Sequence, residues 1–173
     1  MKLIKSLIVF LFITIAGNVF AQNVVSVSLF NPLQTSPETE SVGGVRLNLI
    51  YGVNEYVAGL DAGFVNVVKK DFAGAQFGFI NKVGGDFAGY QEGFVNIVEG
   101  RFTGYQNGFV NYNNGNMIGL QLGFLNRAKT VTGVQFGIIN LAGQLDDGLQ
   151  IGLINVVDHG KAFPFMPIVN WSF

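Results

Sequence analysis

Cysteine is absent from the 173 residues, and histidine occurs once, as His159. Without thiols there is no disulfide, no thiolate metal site, no thiol nucleophile and no lipid-bearing cysteine anchor. One imidazole leaves acid–base and zinc chemistry little to work with. Charge is scarce as well. Asp, Glu, Lys and Arg make up 12% of the chain, about half the usual share in soluble domains, and the net charge is −1. A basic field for nucleic acid is therefore missing, and a well-solvated cytosolic enzyme is disfavoured. What the chain has instead is 49% hydrophobic residues, 24 glycines and 17 phenylalanines.

The longest apolar run lies at the start. Lys2 and Lys5 precede Leu7 through Ala16, and Gly17-Asn18-Val19-Phe20-Ala21 offers a small-residue cut after Ala21. This three-part layout predicts a secretory signal peptide over residues 1–21, too short in its apolar part to be a comfortable membrane span. Its removal takes away two of the ten basic side chains and leaves a net charge of −3 on a single domain, residues 22–173. The expected location is therefore outside the cytoplasm.

From residue 42 to about 157 the chain counts in fifteens. Glycines recur at Gly44, Gly59, Gly74, Gly89, Gly104, Gly119, Gly133 and Gly148, with one spacing of 14 and the others of 15. Two positions on stand Arg46, Asp61, Gln76, Gln91, Gln106, Gln121, Gln135 and Gln150. Seven positions on stand Tyr51 and then Asn66, Asn81, Asn96, Asn111, Asn126, Asn140 and Asn155. The clearest copies read F-x-G-x-Q-x-G-F-h-N plus about five loop residues. So regular a repeat is the unit of folding and of function.

Within a unit the pattern alternates with period two, and paired glycines with aromatic and β-branched flanks favour strands over helices. One strand per repeat is expected. Two architectures can use it. In an up-and-down antiparallel barrel of about ten strands, the near-palindrome Phe-Gly-Gln-Gly-Ile would set Gln beside Gln between opposed neighbours. In a parallel β-solenoid, identical positions would stack into Asn and Gln ladders. The palindrome favours the barrel, with the solenoid as the alternative.

The Gln-bearing face is polar or tiny at its centre. The other face carries Leu60, Tyr90, Tyr105 and Leu120 together with Phe64, Phe79, Phe94, Phe109 and Phe124, interrupted by Glu92 and Asn107. A polar interior and an apolar exterior, on strands of about ten residues, predict an outer-membrane barrel with membrane lipid as its partner. A soluble periplasmic barrel enclosing a lipid is the other barrel reading. The C-terminal strand 163–173 alternates apolar residues and ends on Phe173, like an outer-membrane assembly signal, although Pro164 and Pro167 depart from it. Arg46 and Asp61, at equivalent positions of adjacent units, are expected to pair, and the Asn row to cap turns.

Units such as Gly133-Val134-Gln135-Phe136-Gly137-Ile138-Ile139-Asn140, the lead-in Gly44 to Gly52 and the Pro-rich aromatic ending resemble those of bacterial surface repeat-containing proteins. The resemblance covers roughly residues 42–173. It implies an exported, surface-associated repeat protein and brings no reaction or ligand. Chemistry is otherwise scarce. Asp146-Asp147 and Asp158-His159 are the compact polar clusters, read as loops rather than metal sites, and no phosphate loop or catalytic triad motif is present. The expectation is a non-catalytic structural or interaction protein, without cofactor or metal, at the outer membrane or cell surface. An adhesion or scaffold solenoid is the alternative.

Overall fold

The computed structural model describes residues 23–173, so the expected signal segment 1–21 lies outside the described residues. The strands are β1 (Asn23–Phe30), β2 (Leu33–Gln34), β3 (Val42–Asn54), β4 (Val57–Val68), β5 (Phe72–Val83), β6 (Phe87–Val98), β7 (Phe102–Asn113), β8 (Asn116–His159) and β9 (Phe165–Ser172). They form one sheet in the order β2-β1-β3-β4-β5-β6-β7-β8-β9. Every pair from β1–β3 to β7–β8 is parallel; β1–β2 and β8–β9 are antiparallel. The register is the repeat itself: Gln76 lies beside Gln91, Gln91 beside Gln106, and Gln106 beside Gln121.

This is a parallel β-solenoid of about seven turns. The expected ten-stranded antiparallel barrel is overturned, and with it the membrane-spanning geometry of such a barrel. The near-palindrome misled because it stops short of the Asn. Antiparallel neighbours centred on Gln76 and Gln91 would set Asn81 against the turn residue Asp86. Parallel stacking instead aligns Gln with Gln and Asn with Asn in the same register.

Each 15-residue coil has two inward-facing stretches rather than one alternating strand. In β5, Phe72 and Gln76 are buried, the alternation slips across Gly78 to Ile80, and Asn81 and Val83 are buried in turn. Unbroken alternation from Gln76 would put Asn81 on the face of Phe77 and Phe79; the slip turns it inward and leaves both phenylalanines outside. Gly74 marks another bend. Its φ of +137° suits glycine, and a Cβ there would lie 2.0 Å from the carbonyl oxygen of Gly59 in the coil below. The interior is thus four stacked rows. An aromatic and aliphatic row (Phe72, Phe87, Phe102, Met117) and a valine row (Val68, Val83, Val98) flank the Gln and Asn rows.

The loops also differ from expectation. Turns such as Gly84-Gly85-Asp86 are three residues long, and β8 runs 44 residues through successive coils. The sequence pattern reads Asp146-Asp147 as a loop. Instead the backbone bulges there, with Asp147 at φ +48°, so that Leu145 enters the core while both acids face out and the coil continues to Gln150 and Asn155.

Both ends are covered. At the start, β2 folds back on β1. At the other end, β9 closes the last coil antiparallel, with Trp171 beside Leu149 and Asn170 beside Gln150. Pro164 and Pro167, awkward in a barrel seam, suit this edge position, where missing N–H donors blunt further pairing.

Candidate functional site

Two features could carry function: a polar spine inside the coil and an apolar face outside it. The spine begins with charge. Arg46 on β3 and Asp61 on β4 are both fully buried and joined by two bonds, Nε to Oδ1 at 2.8 Å and Nη2 to Oδ2 at 2.7 Å. Asp61 Oδ2 also accepts from Gln76 Nε2 at 2.8 Å. From there each glutamine donates to the one before it: Gln91 to Gln76 at 2.7 Å, Gln106 to Gln91 at 2.6 Å, Gln121 to Gln106 at 2.8 Å, Gln135 to Gln121 at 2.7 Å and Gln150 to Gln135 at 2.9 Å. A carboxylate can only accept, so Asp61 dictates the direction of all six amides.

The asparagine row runs the other way. Asn48 donates to Asn66 at 2.7 Å, and each asparagine then donates to the next: Asn66 to Asn81, Asn81 to Asn96, Asn96 to Asn111, Asn111 to Asn126, Asn126 to Asn140 and Asn140 to Asn155, at 2.8–2.9 Å. Asn48 Nδ2 also donates to Asp61 Oδ1 at 3.0 Å, and from Asn66 onward each Nδ2 also donates to a backbone carbonyl of the following coil or of β9, such as Asn81 to Glu92 O at 2.8 Å. The carbonyls fix this direction as Asp61 fixes the other. The Asn row therefore sits in mid-coil as a buried ladder and caps no turn. Gly78 makes room for it, since a Cβ there would lie 2.4 Å from Asn66 Nδ2.

Two aligned amide rows of opposite polarity offset one another's dipole, and the positive end of the Gln row meets the Asp61 carboxylate. The leftover groups fall at the ends: Asn48 Oδ1 and Gln150 Oε1, the terminal acceptors of the two rows, have no partner. The repeat positions in the sequence are thus brought together, but as a sealed spine with no access for a substrate. Sequence reasoning did not foresee the ladders' polarity. Its signal was the replacement of Gln by Asp at position 61.

The second feature faces outward. Phe64, Phe79, Phe94, Phe109 and Phe124 stack with ring centroids 4.8–5.1 Å apart and planes within 10°, each about half exposed. Ring faces cover one another along the axis, so the rib presents ring edges; it is unsuited to stacking on a flat sugar or base. Ile138 and Leu153 continue it. Beside it the small Gly123, Gly137 and Gly152 floor an open groove of about 680 Å³, walled by Phe136 and Ile151 and closed by Ile168 of β9. On this face Glu92 is half-buried and accepts from the Tyr90 hydroxyl, which raises the Tyr90 pKa to about 12.

Charges gather elsewhere. Lys70 pairs with Glu55 at 2.9 Å, and Asp86 Oδ1 accepts from the Arg101 amide at 2.7 Å, both at the turns. Asp158 and His159 line a groove with Arg127 and Lys129. Among the described residues no group of three or more His, Asp or Glu could hold a metal ion. The fold and this surface define the class as a β-solenoid with a polar spine and an apolar flank. Compared with family models, curated proteins and solved structures, the chain matches none.

Proposed function

We propose that the chain is an exported, non-catalytic β-solenoid that acts as a surface scaffold or adhesion module through its apolar flank. The observation that carries this reading is the contiguous exposed aromatic rib on a rigid stack, alongside a polar interior that no ligand can enter. Such a patch is costly to leave in water unless something covers it. The secretory layout of residues 1–21 and the resemblance to bacterial surface repeat-containing proteins support export to the cell surface.

Intact cells treated with a membrane-impermeant amine reagent test the location. Modification of exposed Lys70 and Lys82 before lysis is expected; modification only after lysis overturns display at the cell surface. Small-angle scattering of detergent-free protein should give an elongated particle, and loss of cell-surface retention on Phe94→Ser should identify the flank as the contact.

A further inference from the structure

The apolar flank continues past the repeats onto both end strands. One row of neighbouring side chains starts at Val27 on β1, passes through Leu47, Ala62 and Phe77, and ends at Val169 on β9. Ten positions make up this row, one per coil or end strand. Its two polar members, Glu92 and Asn107, are neighbours and occupy the fifth and sixth places. In this row and its two neighbouring outward rows, Glu92 is the one charged residue among the described residues.

From this placement we infer that the flank is covered by a second copy of this chain, in a two-fold dimer whose solenoid axes run antiparallel. The inference rests on the scaffold reading and names its partner. A two-fold axis lying in the face and crossing the solenoid between β6 and β7 sets each row against itself in reverse order. The fifth place then meets the sixth, so the Glu92 carboxylate of each copy faces the Asn107 carboxamide of the other, and two symmetric donor–acceptor pairs form at the centre. Further out, Ala62 lies opposite Phe136, small against large, and Leu47 opposite Ile151, aliphatic against aliphatic. The other two-fold choice, with parallel axes, sets Glu92 against Glu92 and buries two like charges.

Size and chemistry favour this occupant over a lipid surface. Ten places at about 4.8 Å each make a face about 45 Å long. Its half-exposed aromatic and aliphatic side chains offer on the order of 1,000 Å², enough for a standard interface of about 800 Å² per partner. A bilayer would leave the central carboxylate in hydrocarbon with the Tyr90 hydroxyl as its donor and no balancing charge, which is costly, and the rows bring no lysine or arginine to lipid phosphates. The second copy adds the Asn107 carboxamide as a further donor beside the Tyr90 hydroxyl. End-to-end growth is blocked by β2 and β9, which leaves the flank as the contact.

Sedimentation equilibrium of detergent-free protein expressed from the full-length chain should show a dimer at micromolar concentration. Asn107→Glu, which sets carboxylate against carboxylate, should weaken it by about tenfold or more with an unchanged circular dichroism spectrum, and the exchange Glu92→Asn with Asn107→Glu should restore it. Because the chain has no cysteine, orientation can be read by cross-linking. Leu47→Cys protein mixed with Ile151→Cys protein should join through a bismaleimide spanning about 10 Å, whereas Leu47→Cys alone should not. A monomer throughout that range, cross-linking of Leu47→Cys to itself, or binding to neutral phosphatidylcholine vesicles in place of dimerisation overturns the inference. Elongated scattering and surface retention by such a monomer would leave the scaffold reading standing, so the two fail separately.

Discussion

Arg46 and Asp61 break the repeat where a repeat must be broken. A ladder of identical amides needs a terminal acceptor for its first donor, and a buried carboxylate supplies one provided a cation balances it. Asp61→Asn removes the charge that Arg46 answers and should destabilise the fold by about 3–5 kcal/mol, read by denaturant unfolding. A loss within about 0.5 kcal/mol would contradict the role given to the pair. Tyr90 offers a second local test. Its hydroxyl bonds to Glu92 and, with some desolvation, the phenol is held up at about 12. The group's folded-state value is raised, so its contribution to stability is complete below its ordinary value of 10 and is lost as pH climbs toward 12. Tyrosinate absorbance should show one late ionisation, and Glu92→Gln should return it toward 10.

The coil, not the strand, is the unit that the residues build. Gly104 and Gln106 show how tightly one turn is tied to its neighbours. At Gly104 the φ is +135°, and a Cβ would lie 1.9 Å from Gly89 O, so Gly104→Ala forces apart a backbone pair that cannot relax locally. A loss of about 4 kcal/mol or insoluble protein is expected, checked by urea denaturation of whatever soluble fraction forms. Gln106→Leu keeps the volume but orphans Gln121 Nε2 and removes the donor to Gln91 Oε1. That should cost about 2–5 kcal/mol by the same measurement. The one-strand-per-repeat reading was legible because Gly, Gln and Asn recur at fixed offsets. The slip of alternation across Gly78 to Ile80 was not legible, because period two inside a ten-residue window looks the same whether the chain runs straight or bends. That one slip moves Asn81 from the outside to the spine and converts an apparent turn cap into a ladder.

In the whole molecule, open ends are the hazard of any solenoid, since parallel edges and unfinished ladders invite further pairing. The last coil carries both, with Gln150 Oε1 unpartnered and Asn155 Nδ2 donating to Met166 O of β9 at 3.0 Å. Truncation after Gly160 removes β9 and should produce concentration-dependent assembly, seen as rising light scatter and thioflavin fluorescence; a truncated chain that stays as soluble as the parent would refute the capping role. The candidate surface was half visible beforehand. Glu92 and Asn107 stood out as interruptions of an apolar pattern, but their central place emerged only when β1 and β9 were found to extend the same row.

Composition, the repeat length, the all-β character and the inward Gln row follow from local chemistry, because glycine, β-branched and aromatic residues at fixed offsets leave the backbone few alternatives. Parallel or antiparallel neighbours could not be decided that way. Palindromic Phe-Gly-Gln-Gly-Ile pairs acceptably in both directions, and a single strand carries no information about which way its neighbour runs. The choice lies in contacts between residues 15 apart: Asp61 accepting from Gln76, each Asn reaching the next, and each Gly laid against the backbone of the coil before it. Those contacts exist only between stacked coils, so only the folded molecule could select the solenoid and turn the asparagines inward.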